Sequence, residues 1–109
     1  MTLIYKICSQ EDWDHAHLHG FFNGAAIDLK DGYIHFSTKE TLRETYNKYF
    51  KDQSNLIIFE IESDHLPQEF LKWEIARNNK SFPHLYCPLD MKHVRWHQPA
   101  HKALTSLCI

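Results

Sequence analysis

The sequence predicts an α+β fold, a small, mixed and largely antiparallel sheet carrying two main helices, on three observations. Residues 3–7 are β-rich and give way at Ser9 to a helix-opening sequence. Residues 33–37 alternate and run almost directly into an amphipathic stretch, and residues 56–61 (LIIFEI) form the most apolar run in the chain. One domain is expected over residues 1–109, because 43% hydrophobic and 14% aromatic residues supply a single core for a chain of this length.

Each element has a local cause. Ser9-Gln10-Glu11-Asp12 is a capping pattern, so the first strand should pass into a helix whose Trp13 and Ala16 face inward. Gly20, Asn23 and Gly24 end that helix, and the stretch up to Asp31-Gly32 lacks a period, which predicts a loop of about ten residues, a candidate lid. In residues 33–37, Tyr33, His35 and Ser37 share one strand face and Ile34 and Phe36 the other, the core face. Ser37 with Glu40 makes a second capping pattern, and Leu42, Tyr46, Tyr49 and Phe50 recur at helical spacing.

Residues 56–61 read as a central strand buried on both faces over most of its length. After a break at residues 64–67 and a helical turn, residues 71–76 alternate again, with Leu71, Trp73 and Ile75 opposite Lys72, Glu74 and Ala76. Residues 77–80 are a polar turn, and residues 81–89 hold two prolines around His84 and Tyr86, which predicts a stiff extended loop. Residues 94–96 are the expected last strand, and no internal repeat or linker divides the chain.

Composition narrows the function. A net charge of -2 with scattered Lys and Arg provides no stripe to neutralise phosphates, so nucleic acid is not an expected partner. No apolar run reaches the roughly 18 residues of a membrane helix and the amino terminus lacks a secretory pattern, which leads to the expectation of a cytoplasmic protein without a membrane partner. Cys8, Cys87 and Cys108 include no C-x-x-C pair and read as free thiols. Nine histidines raise the prospect of acid–base, metal or phosphate chemistry.

Several groups invite a chemical role. His15, His17 and His19 place two imidazoles on one helix face, but no H-E-x-x-H pattern or third ligand accompanies them, so a solvated face is expected and no metal. His35 and Ser37 point away from the core just before a helix amino terminus, whose free N–H groups suit a phosphate or ribose hydroxyl. Glu74 becomes an acid–base or ribose-binding group if its strand neighbours that of His35. Phe82-Pro83-His84-Leu85-Tyr86 holds an imidazole and a phenol two residues apart. Cys87 suggests a nucleophile, although nothing nearby in sequence activates it and a buried, inert thiol is the expectation. Phe21 and Phe22 read either as part of the lid or as a contact patch.

The strings Asp31-Gly32-Tyr33-Ile34-His35-Phe36-Ser37-Thr38 and Phe82-Pro83-His84-Leu85-Tyr86, with Ile4-Tyr5-Lys6-Ile7, Trp13, Trp73-Glu74 and Pro88-Leu89, resemble a mainly bacterial family, the domain of unknown function numbered 952. The resemblance runs from about residue 3 to residue 94, with a family-like core at about 3–97 and an extension at 98–109. It implies kinship with the ADP-ribosyltransferase group, and with it a split sheet and a reaction that opens the nicotinamide–ribose bond of NAD.

By that resemblance His35 and Ser37, with Thr38 beside them, correspond to the strand histidine and hydroxyl that hold the dinucleotide. Glu74 corresponds to the glutamate that supports the ribosyl cation, His35 and Glu74 being the catalytic pair. Trp73, His84 and Tyr86 complete the expected ligand-binding set, with Tyr86 or Tyr46 supplying a stacking ring. The family's usual string has Gly where this chain has Cys87. Two functions are carried forward, an ADP-ribosyltransferase-like enzyme using NAD and a non-catalytic nucleotide- or phosphometabolite-binding module. A metal hydrolase built on His15, His19 and His84 and a plain protein-interaction domain remain as competitors. The chain is expected to be a monomer or weak homo-oligomer.

Overall fold

In the computed structural model, which describes Met1–Ile109, β1 (Leu3–Ser9) and β5 (Leu56–Glu62) run antiparallel in unbroken register from Leu3 opposite Glu62 to Ser9 opposite Leu56. They form the middle of a four-stranded sheet ordered β4-β1-β5-β9, with β4 at Ser37–Thr38 and β9 at Val94–Pro99. Every residue of β5 is buried, Glu60 and Glu62 included, as its largely apolar sequence predicts for a strand covered on both faces.

Alternation along these strands divides the interior in two. Ile4, Cys8, Ile57, Phe59 and Ile61 face one core with Trp13, Phe22, Ile34, Phe36 and Leu85. Tyr5, Ile7 and Ile58 face the other, with Leu42 of α3 (Lys39–Tyr49) and Ala103 and Leu104 of α4 (Ala100–Ser106). Ser9 caps α1 (Gln10–His19) by accepting from Asp12 N at 3.0 Å, and Trp13 and Ala16 are its buried residues, as the sequence predicts.

A second sheet, ordered β3-β7-β6, uses β3 (Ile34–His35), β7 (Ser81–Leu85) and β6 (Leu71–Ile75). The alternating stretch at residues 33–37 is therefore not one strand. Its first half pairs with β7, with His35 opposite His84, and after Phe36 its second half crosses to pair Ser37 with Tyr5 of β1. Ile34 and Phe36 are buried as expected. The α+β fold is as expected, and because all strand pairings are antiparallel its sheets are antiparallel throughout instead of mixed, and split at Phe36.

Three other expectations need correction. The stretch read as a loop and lid contains β2 (Phe21–Phe22), paired with β8 (Leu89–Asp90), and α2 (Ala26–Asp31). Its six-residue helix is too short to display an apolar period, and Phe22 is core while Phe21 is half exposed, so the two do not form one patch. The cap of α3 is Thr38, whose N–H donates to Thr41 Oγ1 at 3.0 Å, one residue beyond the expected Ser37–Glu40 pair.

Residues 81–85 are a strand, not a loop. Pro83 is tolerated because its carbonyl accepts from Phe36 N at 3.0 Å, so its missing N–H faces the point where the neighbouring chain leaves the sheet. The extension at residues 98–109 is built into the fold. β9 continues to Pro99 and α4 packs Ala100, Ala103 and Leu104 into the second core. No helix is long and apolar enough to cross a membrane.

Candidate functional site

The split at Phe36 opens a cleft of about 580 Å³ between the two sheets, lined by residues that include Lys6, Tyr33, His35, Ser37, Arg77 and His84. That volume suits a small organic ligand. Tyr49 and Phe50 from the end of α3 and Phe82 from β7 give it aromatic walls.

One side is built on a buried ion pair. Lys6 lies in the middle of β1, 5% exposed, and its Nζ donates to Asp28 Oδ1 at 3.0 Å and to the carbonyl of His35 at 3.0 Å. Asp28, 1% exposed, also lies 2.8 Å from Lys6 Nζ through Oδ2, which accepts from Ala25 N at 2.8 Å as well. Oδ1 accepts from His35 N at 3.1 Å and from His35 Nδ1 at 2.6 Å. The other ring nitrogen of His35 is 3.1 Å from Asp31 Oδ2. Burial alone would raise the Asp28 pKa, but the His35 hydrogen bond and the Lys6 charge outweigh it and hold the carboxyl at about 2. This close packing requires Gly24: at φ +117° it adopts a conformation costly for other residues, and a Cβ there would lie 2.8 Å from Asp28 Cβ.

The second side comes from the β6–β7 hairpin. His84 Nδ1 donates to Glu74 Oε1 at 2.8 Å and Tyr86 Oη donates to the same oxygen at 2.6 Å. Both bonds fall on Oε1, so Oε2 has no protein partner. The Tyr86 bond first and the His84 bond second keep Glu74 below the ordinary carboxylate range, and the same bond to Glu74 pushes Tyr86 up to about 12. Burial lowers the His84 pKa against the opposing pull of Glu74, which keeps the ring neutral near pH 7. With Nδ1 donating to Glu74, its Nε2 is then left as an acceptor.

Tyr33 joins the two sides. Its ring lies 4.2 Å from that of His84, 4.5 Å from that of His35 and 5.1 Å from that of Tyr86, centroid to centroid. Burial, followed by the charge of Asp31, raises its own phenol pKa. Beyond them, Arg77 Nη2 donates to Thr45 Oγ1 at 2.8 Å, and Ser37 Oγ donates to the same oxygen at 3.1 Å. The Arg77 guanidinium lies 5.0 Å from the Phe82 ring. A cation, two hydroxyls and flat rings thus meet in one wall.

The structure brings together His35, Glu74, His84 and Tyr86: His35, Ser37 and His84 line the cleft, Glu74 adjoins it through its bond to His84 and Tyr86 through its bond to Glu74, and Thr38 caps the helix that starts beside it. It does not bring Trp73 there: period-two alternation sends that side chain to the opposite face of β6 from Glu74, and it does not line the cleft. Tyr46 packs against the second core, leaving Tyr86 as the hairpin's ring. Sequence reasoning missed Lys6, Asp28, Tyr33 and Arg77 as site residues. A lysine within the apolar Ile4-Tyr5-Lys6-Ile7 strand was an available signal, since a buried cation demands a partner.

Other clusters offer less. His15 and His19 sit with ring centroids 4.3 Å apart on α1 beside a shallow hollow, and no third histidine, cysteine or carboxylate joins them to make a metal-holding group. The Cys87 thiol is pushed up by burial first and by Glu69 second, the opposite of an activated nucleophile.

Comparison with known proteins gives a consistent outcome. The family described as Protein of unknown function (DUF952) matches residues 7–97. The crystal structure of protein CC0527 from Caulobacter crescentus is 46% identical, with a TM-score of 0.87 over 90% of this chain and 85% of that one. Its solution NMR structure, also 46% identical, gives a TM-score of 0.80 over 91% and 84%. No curated protein matches the chain.

Proposed function

The chain belongs to the DUF952 family of proteins of unknown function, and we propose that its cleft is a nucleotide site of the ADP-ribosyltransferase-like kind, taking NAD and cleaving the nicotinamide–ribose bond. The observation that supports this most is the cluster of Tyr33, His35, Glu74, His84 and Tyr86, drawn from three separate stretches of chain, in which Tyr33, His35 and His84 line the cleft and Glu74 and Tyr86 adjoin it through hydrogen bonding and ring contact. A dinucleotide presents flat rings, hydroxyls and a diphosphate, and the cleft offers aromatic walls, Ser37 and Thr45 hydroxyls and the Arg77 cation.

In this reading the C–N bond between ribose and nicotinamide breaks with its electron pair leaving on nicotinamide, and positive charge grows on the ribose. Glu74 is suited to face that charge. It is held ionised by Tyr86 and His84 through Oε1 alone, which leaves Oε2 free for the ribose. A carboxylate fixed before the reaction stabilises a developing cation more than mobile water does. Tyr33 is placed to cover a flat nicotinamide ring, and His35, with its ring nitrogens engaged by Asp28 and Asp31, forms a fixed wall beside it. The bond is completed by water or by an acceptor nucleophile attacking the same carbon.

Incubation of the protein with NAD, followed by measurement of released nicotinamide, tests the proposal. Release should occur in the wild type and drop at least about 100-fold in Glu74→Gln, the scale expected for loss of one charge-stabilising group, while NAD binding persists. Saturable NAD binding without nicotinamide release would instead support a non-catalytic nucleotide-binding module. Release at an unchanged rate in Glu74→Ala would remove Glu74 from the role.

A further inference from the structure

The β6 strand ends its sheet, with β7 its only strand partner. Its backbone faces can be assigned. Phe70 O accepts from Tyr86 N at 2.8 Å and Ala76 N donates to Lys80 O at 2.9 Å, so even-numbered residues turn their peptide groups toward β7. Leu71, Trp73 and Ile75 therefore present their N–H and C=O groups at the open edge. Two of the three apolar side chains of that strand are also uncovered, with Trp73 44% and Ile75 68% exposed, while Leu71 is buried. An open edge bearing large apolar side chains is a template for another strand.

We propose that this edge is a homodimer interface, in which β6 of one copy pairs antiparallel with β6 of a second about a two-fold axis at Trp73. The sequence Leu71-Lys72-Trp73-Glu74-Ile75 is self-complementary in that register and in no neighbouring one. Trp73 meets Trp73, Leu71 meets Ile75, and Lys72 of one copy faces Glu74 of the other. The three odd-numbered residues, whose peptide groups are free, all fall in hydrogen-bonded pairs, each exchanging two bonds. Lys72 and Glu74 fall in the intervening non-hydrogen-bonded pairs, where side chains stand closest, so opposite charges meet on both sides of the axis. The contact is isologous and closes at two chains.

Sliding the register by two residues destroys this match, because Lys72 then faces Lys72 or Glu74 faces Glu74. The dimer joins the two three-stranded sheets into one of six strands and places Lys72 of each copy beside the other's cluster of Glu74, His84 and Tyr86. It stands on the strand edge alone and does not depend on what the cleft binds.

Sedimentation of the purified full chain up to about 1 mM, the range in which weak association registers, with backbone amide exchange as a second readout, tests the inference. The expected mass rises with concentration from the 13.0 kDa of one chain toward twice that. The amides of Leu71, Trp73 and Ile75 gain protection in parallel, while those of Lys72 and Glu74 are protected at every concentration by β7. Lys72→Glu should weaken association at least tenfold, and adding Glu74→Lys to it should restore association. Ile75→Lys, at a solvent-exposed position, should remain folded and monomeric. A mass of one chain throughout would overturn the proposal. So would a two-chain mass that survives Ile75→Lys with Leu71, Trp73 and Ile75 amides still exchanging freely.

Discussion

Tyr33 lies nearly flat against His84, their ring centroids 4.2 Å apart and their planes 29° from parallel. The contact bridges the two halves of the cleft, since Tyr33 also touches His35, which belongs to the Asp28 network, while His84 belongs to that of Glu74. The His35 and His84 rings also meet edge to face with centroids 5.4 Å apart, so a cluster of three rings joins the two networks.

Replacing Tyr33 with Ala should let water reach His84 and relieve the burial that depresses its pKa. The His84 ring signal in an NMR titration should then move toward the ordinary histidine value of about 6.5, whereas Tyr33→Phe should leave it nearly in place. The sign for stability follows. A histidine whose folded pKa is lowered favours folding fully above its unfolded value, and that contribution is lost as pH falls through the folded one. An identical titration curve in Tyr33→Ala would show that the ring does not shield the imidazole.

Asp28 should dominate acid sensitivity. Its folded pKa of about 2 lies below the unfolded value of 3.8, so its contribution is complete above about pH 4 and disappears as pH falls toward 2. At 1.36 kcal/mol per unit, that contribution is about 2 kcal/mol. Urea unfolding at pH 7 and pH 3, between which about half of it should be lost, tests it. Asp28→Asn should cost about 3 kcal/mol or more at pH 7, because Lys6 is left buried without a counter-charge, and should flatten the acid limb. An acid limb as steep as that of the wild type would place the sensitivity elsewhere.

How much of this was legible in the sequence depends on the range of the interaction. Strand β5, helix α1 with its Ser9 cap and the burial of Ile34 and Phe36 follow from local pattern, and all were readable. The turn toward β4 was not, because the same alternation describes one five-residue strand or two short ones, and only pairing with β7 and β1 decides. Pro83 misled for a related reason: a proline argues against a central strand unless the neighbouring strand departs opposite it, which is a fact about Phe36. Of the site, His35, Glu74, His84 and Tyr86 were found from motif and face. Asp28 was lost inside an apparent loop, and Lys6 was passed over as one more residue of an apolar strand.

The Tyr86 phenol and Glu74 should titrate as partners. Removing the donor in Tyr86→Phe takes away the larger of the two influences that lower Glu74, so its carboxyl signal by NMR should shift upward toward the usual carboxylate range. The surrounding fold should be undisturbed, because Tyr86 is exposed and its ring is retained. Nicotinamide release should fall about tenfold with NAD affinity little changed, the pattern of a group that acts on the transition state more than on the bound ligand. An unshifted Glu74 signal would leave His84 as its controlling neighbour.

Cys87 tests the chemistry from the other direction. It lies one residue beyond Tyr86, close enough to the site that a thiol mechanism deserves direct exclusion, yet burial and Glu69 both raise its pKa. At neutral pH the thiolate is scarce and nucleophilicity is correspondingly low. Alkylation by iodoacetamide should therefore label the exposed Cys108 well before Cys87, and Cys87→Ser should keep full nicotinamide release. Fast labelling of Cys87 accompanied by loss of turnover in Cys87→Ser would move the reaction from the carboxylate of Glu74 to the sulfur.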